Sequence, residues 1–197
     1  MATYAAIAAT CEAIARLLRS NFDASDFGGA KLDFEVYVED DFAQHMDEGI
    51  SVFLYRIYHN GNNRTPAGRV LPDGSRQPTK LPVDLHFMLT AWAKTASLQH
   101  EIAGWMMRVM EDNAIIPASV LNTYKPDVFH SDEAVEIALT ELSVYDMFHI
   151  WQVVIHQDYQ LSVPYQARMV EIEAPFAKAP LGLPVQQRVT DLREIVR

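Results

Sequence analysis

Cysteine is nearly missing from this sequence: Cys11 stands alone in 197 residues, so no internal disulfide can form, and no His/Cys spacing around it would build a metal site. A reducing compartment suits such a chain. Basic charge is scarce as well. Sixteen Lys and Arg stand against 26 Asp and Glu, for a formal net charge of −10, which repels nucleic acid and anionic lipid and argues against free nucleic acid as a partner. No uncharged apolar run reaches the ~18 residues needed to cross a bilayer, so no integral membrane contact is expected. The stretch Met1 to Ile7 is small and apolar, but it lacks a basic flank, and Glu12 and Arg16 interrupt it where a signal peptide would stay apolar. It reads as the start of the first helix.

Catalytic fingerprints are missing too. There is no Gly-x-Ser-x-Gly elbow, glycine-rich phosphate loop or dinucleotide fingerprint, and the pair Gly28-Gly29 follows a polar turn, not a strand leading into a helix. Seven histidines call for a search for metal ligands. His100-Glu101 begins like a zinc-protease helix, but the position four residues after His100 is Gly104. His149 and His156 lie two helical turns apart, about 10 Å along the axis, too far to share an ion. The histidines read as structural. Cys11 falls on an apolar helical stripe and reads as a small buried hydrophobe; Trp92, Trp105 and Trp151 sit in apolar patterns and are expected in the core. Asp84-Leu85-His86 places an acid and an imidazole on one face of a strand. An ordinary polar contact is the simpler reading, and a small hydrolase using Asp84 and His86 is the enzymatic alternative. No catalytic, cofactor-binding or metal-binding residue is assigned, and the chain is expected not to be an enzyme.

What is present is the length of one domain, enough to bury a core without staples. Apolar residues make up 49% and charged residues 21%, a globular balance that fits neither wholesale disorder nor a fibrous repeat. Ile7, Cys11, Ile14 and Leu18 recur at helical spacing with Leu17 beside them, predicting a helix from about Thr3 to Ser20 with Thr3 as N-cap. After the turn-like Asp26-Phe27-Gly28-Gly29, Leu32, Phe34, Val36 and Val38 alternate with Lys31, Asp33, Glu35 and Tyr37, the period of a strand with one wet face. Ile50 to Tyr58 is apolar on both parities and predicts a mid-sheet strand covered on both sides. An extended pattern resumes from Val83 to Trp92. Leu98, Ile102, Trp105, Met106 and Val109 predict a second helix ending near Asn113, with Pro117 opening a short turn or helix. Val135, Ile137 and Leu139 alternate as another strand. Ser143, with Asp146 three residues on, predicts a capped helix whose Met147, Ile150, Trp151 and Val154 face the core. A last strand runs from Tyr159 to about Ile172, in which Pro164 predicts an edge position or a bulge. This order predicts an α+β fold, a single mixed sheet with about three packed helices.

Residues 60–80 read as a long loop, punctuated by Asn60-Gly61, Pro66, Gly68, Pro72, Asp73-Gly74 and Pro78; loops of that length are binding elements or disordered. From Ala174 onward, Pro175, Pro180, Gly182 and Pro184 argue against regular structure, so the chain divides into a domain over 1–173 and an extended arm over 174–197. Charge is unevenly spread. Residues 21–48 hold nine acids against Lys31 alone. The loop carries Arg64, Arg69, Arg76 and Lys80 against Asp73, and the arm Lys178, Arg188, Arg193 and Arg197 against Asp191 and Glu194. A solvated surface of fluctuating composition accounts for such runs. Complementary docking between subunits is the sharper reading, with Arg64, Arg69, Arg76, Lys178, Arg188 and Arg193 as the expected interface cations.

Three stretches carry a likeness to a known family: Phe53-Leu54-Tyr55-Arg56-Ile57-Tyr58-His59-Asn60, then Leu81 to Trp92, then Tyr159-Gln160-Leu161-Ser162-Val163-Pro164-Tyr165-Gln166. With the His100-Glu101 and Trp151 helices, and over roughly Tyr4 to Glu173, the chain resembles the N-terminal domain of cap, or tail-terminator, proteins of phage-tail-like contractile injection systems of the antifeeding-prophage and virulence-cassette type. Asp84-Leu85-His86 and the run on to Leu89-Thr90-Ala91 are its most specific part. The resemblance implies a structural cap: a homo-oligomer, a six-subunit ring that closes the distal end of the inner tube and sheath and stops their polymerisation. It implies contact with tube and sheath proteins, no cofactor, assembly in the cytoplasm and then a place in the particle, released by lysis. An adaptor that recruits cargo or baseplate components is a further alternative.

Overall fold

The structure, a computed structural model, describes residues 2–61 and 80–173. Its first helix, α1 (Ala6–Asn21), is rich in alanine, the best helix former, and buries Ala6, Ala9, Ala13 and Ala15 with Ile14 and Leu18. The small side chains let it lie close to the sheet. Thr3 does not cap it, contrary to expectation: Ala5 holds the N-cap position and Thr3 Oγ1 accepts from the Ala5 N–H at 3.3 Å. The preceding residues are committed elsewhere, with Thr3 N–H donating to Val128 O at 2.9 Å and Ala2 bridging to Ile172. At the other end Ser20 Oγ and Asn21 Nδ2 both donate to Leu17 O, closing the helix.

Among the described residues six strands form one mixed sheet: β1 (Asp33–Tyr37), β2 (Gly49–His59), β3 (Lys80–Trp92), β4 (Ile115–Pro117), β5 (Ala134–Leu139) and β6 (Ser162–Glu173), in the order β1-β2-β3-β6-β5-β4. The β1–β2 pair is parallel and the other pairs are antiparallel. The three-residue edge strand β4 has too little sequence to show a period. The helices are α1, α2 (Ala96–Asp112), the one-turn α3 (Ala118–Leu121) and α4 (Val144–His149), which continues as a π turn over Ile150–Ile155. The described residues thus form the single α+β domain expected. Thr95 caps α2 by accepting from Leu98 N–H, Ser143 Oγ caps α4 by accepting from Asp146 N–H at 3.1 Å, and Ser143 donates in return to Asp146 Oδ2 at 2.7 Å.

Two cores lie on the two faces of this sheet. On one, Ile50 and Val52 of β2 and Leu85, Phe87, Leu89 and Ala91 of β3 meet α1, α2 and α3. On the other, Tyr37, Phe53, Met88 and Trp92 pack with Phe42, Trp151 and Ile155. The alternation along β2 and β3 is the period of two, with both parities covered. Tyr37, expected on a wet face, is buried because the 3-10 turn Glu39–Gln44 folds Phe42 under it, with ring centroids 5.3 Å apart. The expected core residue Val154 is exposed and Ile155 takes its place. The i→i+5 bonding of the π turn widens it, so the four-residue spacing Met147, Trp151, Ile155 stays in line along the sheet-facing side instead of drifting round as in an α-helix.

Strand β6 is interior, between β3 and β5, which corrects the edge position expected from Pro164. Pro164 O accepts from Thr140 N–H just past the end of β5. In an antiparallel strand a residue's N and O point the same way, so the missing N–H faces Thr140, past the last residue of β5, and takes nothing from the pairing with β3 on the other side. A bulge does occur further along, where pairing shifts between Val83 and Leu85 of β3 and Met169 adopts φ 55°.

Candidate functional site

Asp84, singled out with His86, sits opposite that bulge. Its carboxylate accepts from Met169 N–H at 2.8 Å and from Asn60 Nδ2 at 3.2 and 3.3 Å. It therefore clamps the irregular backbone of β6 to the end of β2. His86 lies one pleat away among aromatic rings, 4.9 Å from Tyr58 and 6.2 Å from Tyr55, and burial lowers its pKa. Arg56 stacks over the Tyr58 ring at 3.7 Å. The two groups the sequence places on one face thus lie one pleat apart, but Asp84 is engaged by a backbone N–H and the Asn60 amide and His86 by aromatic rings, and no serine, cysteine or threonine oxygen or sulfur is aligned with them among these contacts.

Asp84 also lines an open cleft of about 540 Å³, with Asn60, Glu136, Arg168, Met169 and Glu171 around it. Its wall is ionic: Arg168 lies 3.5 Å from Glu136, and Lys80 binds Glu171 at 2.5 Å and lies 3.6 Å from Glu173. Lys80, counted among the basic residues of the loop, is therefore paired within its own sheet. A second groove, of about 450 Å³, runs between α1 and the β1–β2 edge, lined by Tyr4, Ile7, Cys11, Val36, Val38 and Leu54. Cys11 at its floor is buried, and desolvation pushes its thiol up to about 12, the inert, hydrophobe-like cysteine expected.

The remaining histidines are dispersed. His45 stacks on Trp92 at 4.3 Å, His149 on Tyr145 at 5.7 Å, His130 contacts Asp132, and His156 Nε2 lies 3.7 Å from Glu39. Among the described residues no group of three or more His, Cys, Asp or Glu is placed to hold a metal ion, and no helix is long and apolar enough to cross a membrane. The acids of residues 21–48 lie at the β1 edge, in its flanking turns and in the loop before β2, nearly all of them exposed. The expected interface cations Arg64, Arg69, Arg76, Lys178, Arg188 and Arg193 lie outside the described residues. What sequence reading missed is the outer side of α4, where Val144 and Tyr145 are 72% and 75% exposed; its apolar residues were visible, but the π turn that settles which of them face out was not.

A scan against family models matches residues 9–187 to the Pvc16 N-terminal domain. The chain belongs to that family. Among solved structures, this Pvc16 N-terminal domain is similar to the PVC sheath/tube terminator of an extracellular contractile injection system in its extended state, with a TM-score of 0.62 and 14% identity over 91% of this chain and 60% of that one. It is also similar to the anti-feeding prophage cap, a tube-terminating cap, with a TM-score of 0.58 and 16% identity over 84% of this chain and 54% of that one. At those identities the likeness is one of fold, and the chain spans little more than half the length of either structure. No curated protein matches the sequence.

Proposed function

We propose that this chain is a structural cap of a contractile injection system, a terminator that closes the distal end of an inner tube and sheath and stops their growth. One observation carries the reading: the fold is shared over 91% and 84% of the chain with a sheath/tube terminator and a tube-terminating cap, and the family match spans nearly the whole sequence. The chain works as a homo-oligomer, a six-subunit ring, touching tube and sheath proteins. It assembles in the cytoplasm and then remains in the particle. Residues 1–173 are the ring-forming domain and residues 174–197 an arm; Arg64, Arg69, Arg76, Lys178, Arg188 and Arg193 are the cations that meet acidic neighbours. Such a cap needs no active site, and the use of Asp84 to hold the β6 bulge fits a structural role for the residue that a hydrolase would spend on its histidine.

Electron microscopy of particles from a strain lacking the gene tests this. Tubes and sheaths of irregular, overgrown length are expected; particles of normal, uniform length refute the terminator reading.

A further inference from the structure

We infer that the outer face of α4 and its π turn is the docking site for residues 174–197 of a neighbouring copy of this chain. The inference rests on the reading that copies assemble side by side in a ring. It begins with a surface that the fold leaves uncovered. The helix turns Met147, Trp151 and Ile155 to the sheet, so Val144, Tyr145, Phe148 and Val153 form a ridge on the outside, 72%, 75%, 42% and 50% exposed. Tyr159, 40% exposed, extends the ridge by packing edge-on against Phe148 at 5.0 Å. Single exposed apolar residues are ordinary, but a contiguous ridge of five marks an interaction surface. The ridge is firmly presented, since Ser143 caps the helix and Trp151 is fully buried beneath it.

Charge selects the occupant. Residues 141–160 carry Glu141, Asp146 and Asp158 and no Lys or Arg. A second copy of the same face would bring like charge against like. The segment 174–197 carries Lys178, Arg188, Arg193 and Arg197 against Asp191 and Glu194, with Phe176 and Leu183 among its apolar residues, the complement in both respects. Pro175, Pro180 and Pro184 disfavour a helix there and suit an extended peptide laid along a ridge. The family match continues through residue 187, so the first part of this segment belongs to the family's domain.

Position favours a neighbour over the same chain. Strand β6 starts at Ser162, soon after the π turn, and its twelve residues run about 40 Å. They deliver the chain to the far end of the sheet, where Glu173 N–H donates to Ala2 O at 2.9 Å. To reach its own α4 the segment would have to return along the whole sheet. A copy placed head to tail offers the same ridge without that return, as a heterologous ring contact requires.

The test is a photo-crosslinking side chain at position 148 of the full chain, in oligomers assembled from equal amounts of isotope-labelled and unlabelled protein. Crosslinks from 148 to residues 174–197 that join labelled to unlabelled copies are expected. Crosslinks confined to one copy, or directed to any other surface, overturn the inference. In parallel, the double variant Tyr145→Glu, Phe148→Glu, which alters only exposed side chains, should keep its melting temperature and weaken self-association on the order of tenfold or more, what one or two buried side chains supply. Truncation before Ala174 should do the same, with no further loss when the changes are combined. An oligomer unaffected by either change overturns the docking while leaving the ring reading intact. A wild-type chain that stays monomeric at high concentration overturns both.

Discussion

Replacing Trp151 with alanine tests whether the two faces of the sheet hold separate cores. The indole is fully buried, with ring centroids 5.4 Å from Phe42, 6.1 Å from Tyr159 and 6.3 Å from Trp92. Truncating a buried Trp to Ala costs about 3–5 kcal/mol. Here the lower end applies, because Trp151 Nε1 is buried without a hydrogen-bond partner among the described residues, and deleting that group relieves its desolvation cost. A loss of about 3 kcal/mol is roughly two orders of magnitude in an opening equilibrium. Only Trp151 and Ile155 of the α4 unit are buried, so the opening should be local. Hydrogen exchange is expected to show amides of Ile150–Ile155 exchanging about a hundredfold faster while those of α1 keep their protection. Trp151→Phe, which keeps a ring and removes the unpaired N–H, should stay within about 1.5 kcal/mol of the parent. Equal loss of protection in α1 and α4, or a Phe variant as damaging as the Ala one, refutes the division into two cores.

Gly49 adopts φ +151°, and an added Cβ would sit 2.0 Å from Asp33 O and 2.6 Å from Met46 Sδ; Gly49→Ala should lose about 3 kcal/mol or more in denaturant titration by prying β1 from β2. Alkaline pH should destabilise the fold. Burial raises Cys11 from 9.0 and Tyr55 and Tyr165 from 10.0, each to about 12, so between pH 9 and 12 the unfolded chain loses protons that the folded chain keeps. The contribution of these three groups is therefore constant below pH 9 and falls above it, Cys11 contributing about 1.4 kcal/mol per pH unit, and Cys11→Ala should flatten the fall between pH 9 and 10. Asp84→Ala removes the acceptor for Met169 N–H and should cost about 1–2 kcal/mol with faster amide exchange at the bulge; unchanged stability and exchange would contradict its role as a clamp.

Much of the fold could be read where local rules act alone. The α2 helix ends at Asn113 as its apolar period requires, and Ser143 caps α4 with the reciprocal bond to Asp146. Both parities of β2 are buried, as its unbroken apolar run suggests, though only over its first half, since Arg56 to His59 are exposed. What escaped was set by tertiary context. Tyr37 looks like a solvent-facing residue until Phe42 is folded beneath it, and Pro164 looks like an edge residue until β5 is seen to stop beside it. Val154 and Ile155 exchange roles because a π turn leaves no signature in residue spacing. The candidate site was legible only in part: the sequence marked Asp84 and His86, but the partner that gives Asp84 its task, the backbone of Met169, is 85 residues away.

The strands at the two borders of the sheet are its shortest, five residues in β1 and three in β4. The first shows Asp33 and Glu35 to solvent and the second ends in Pro117. Short length, charge and proline are the devices by which sheets avoid recruiting stray strands. Growth of a filament propagates because each subunit leaves an open place for the next. A molecule proposed to finish such a filament is built so that its own hydrogen-bonding margins offer little foothold for beginning another.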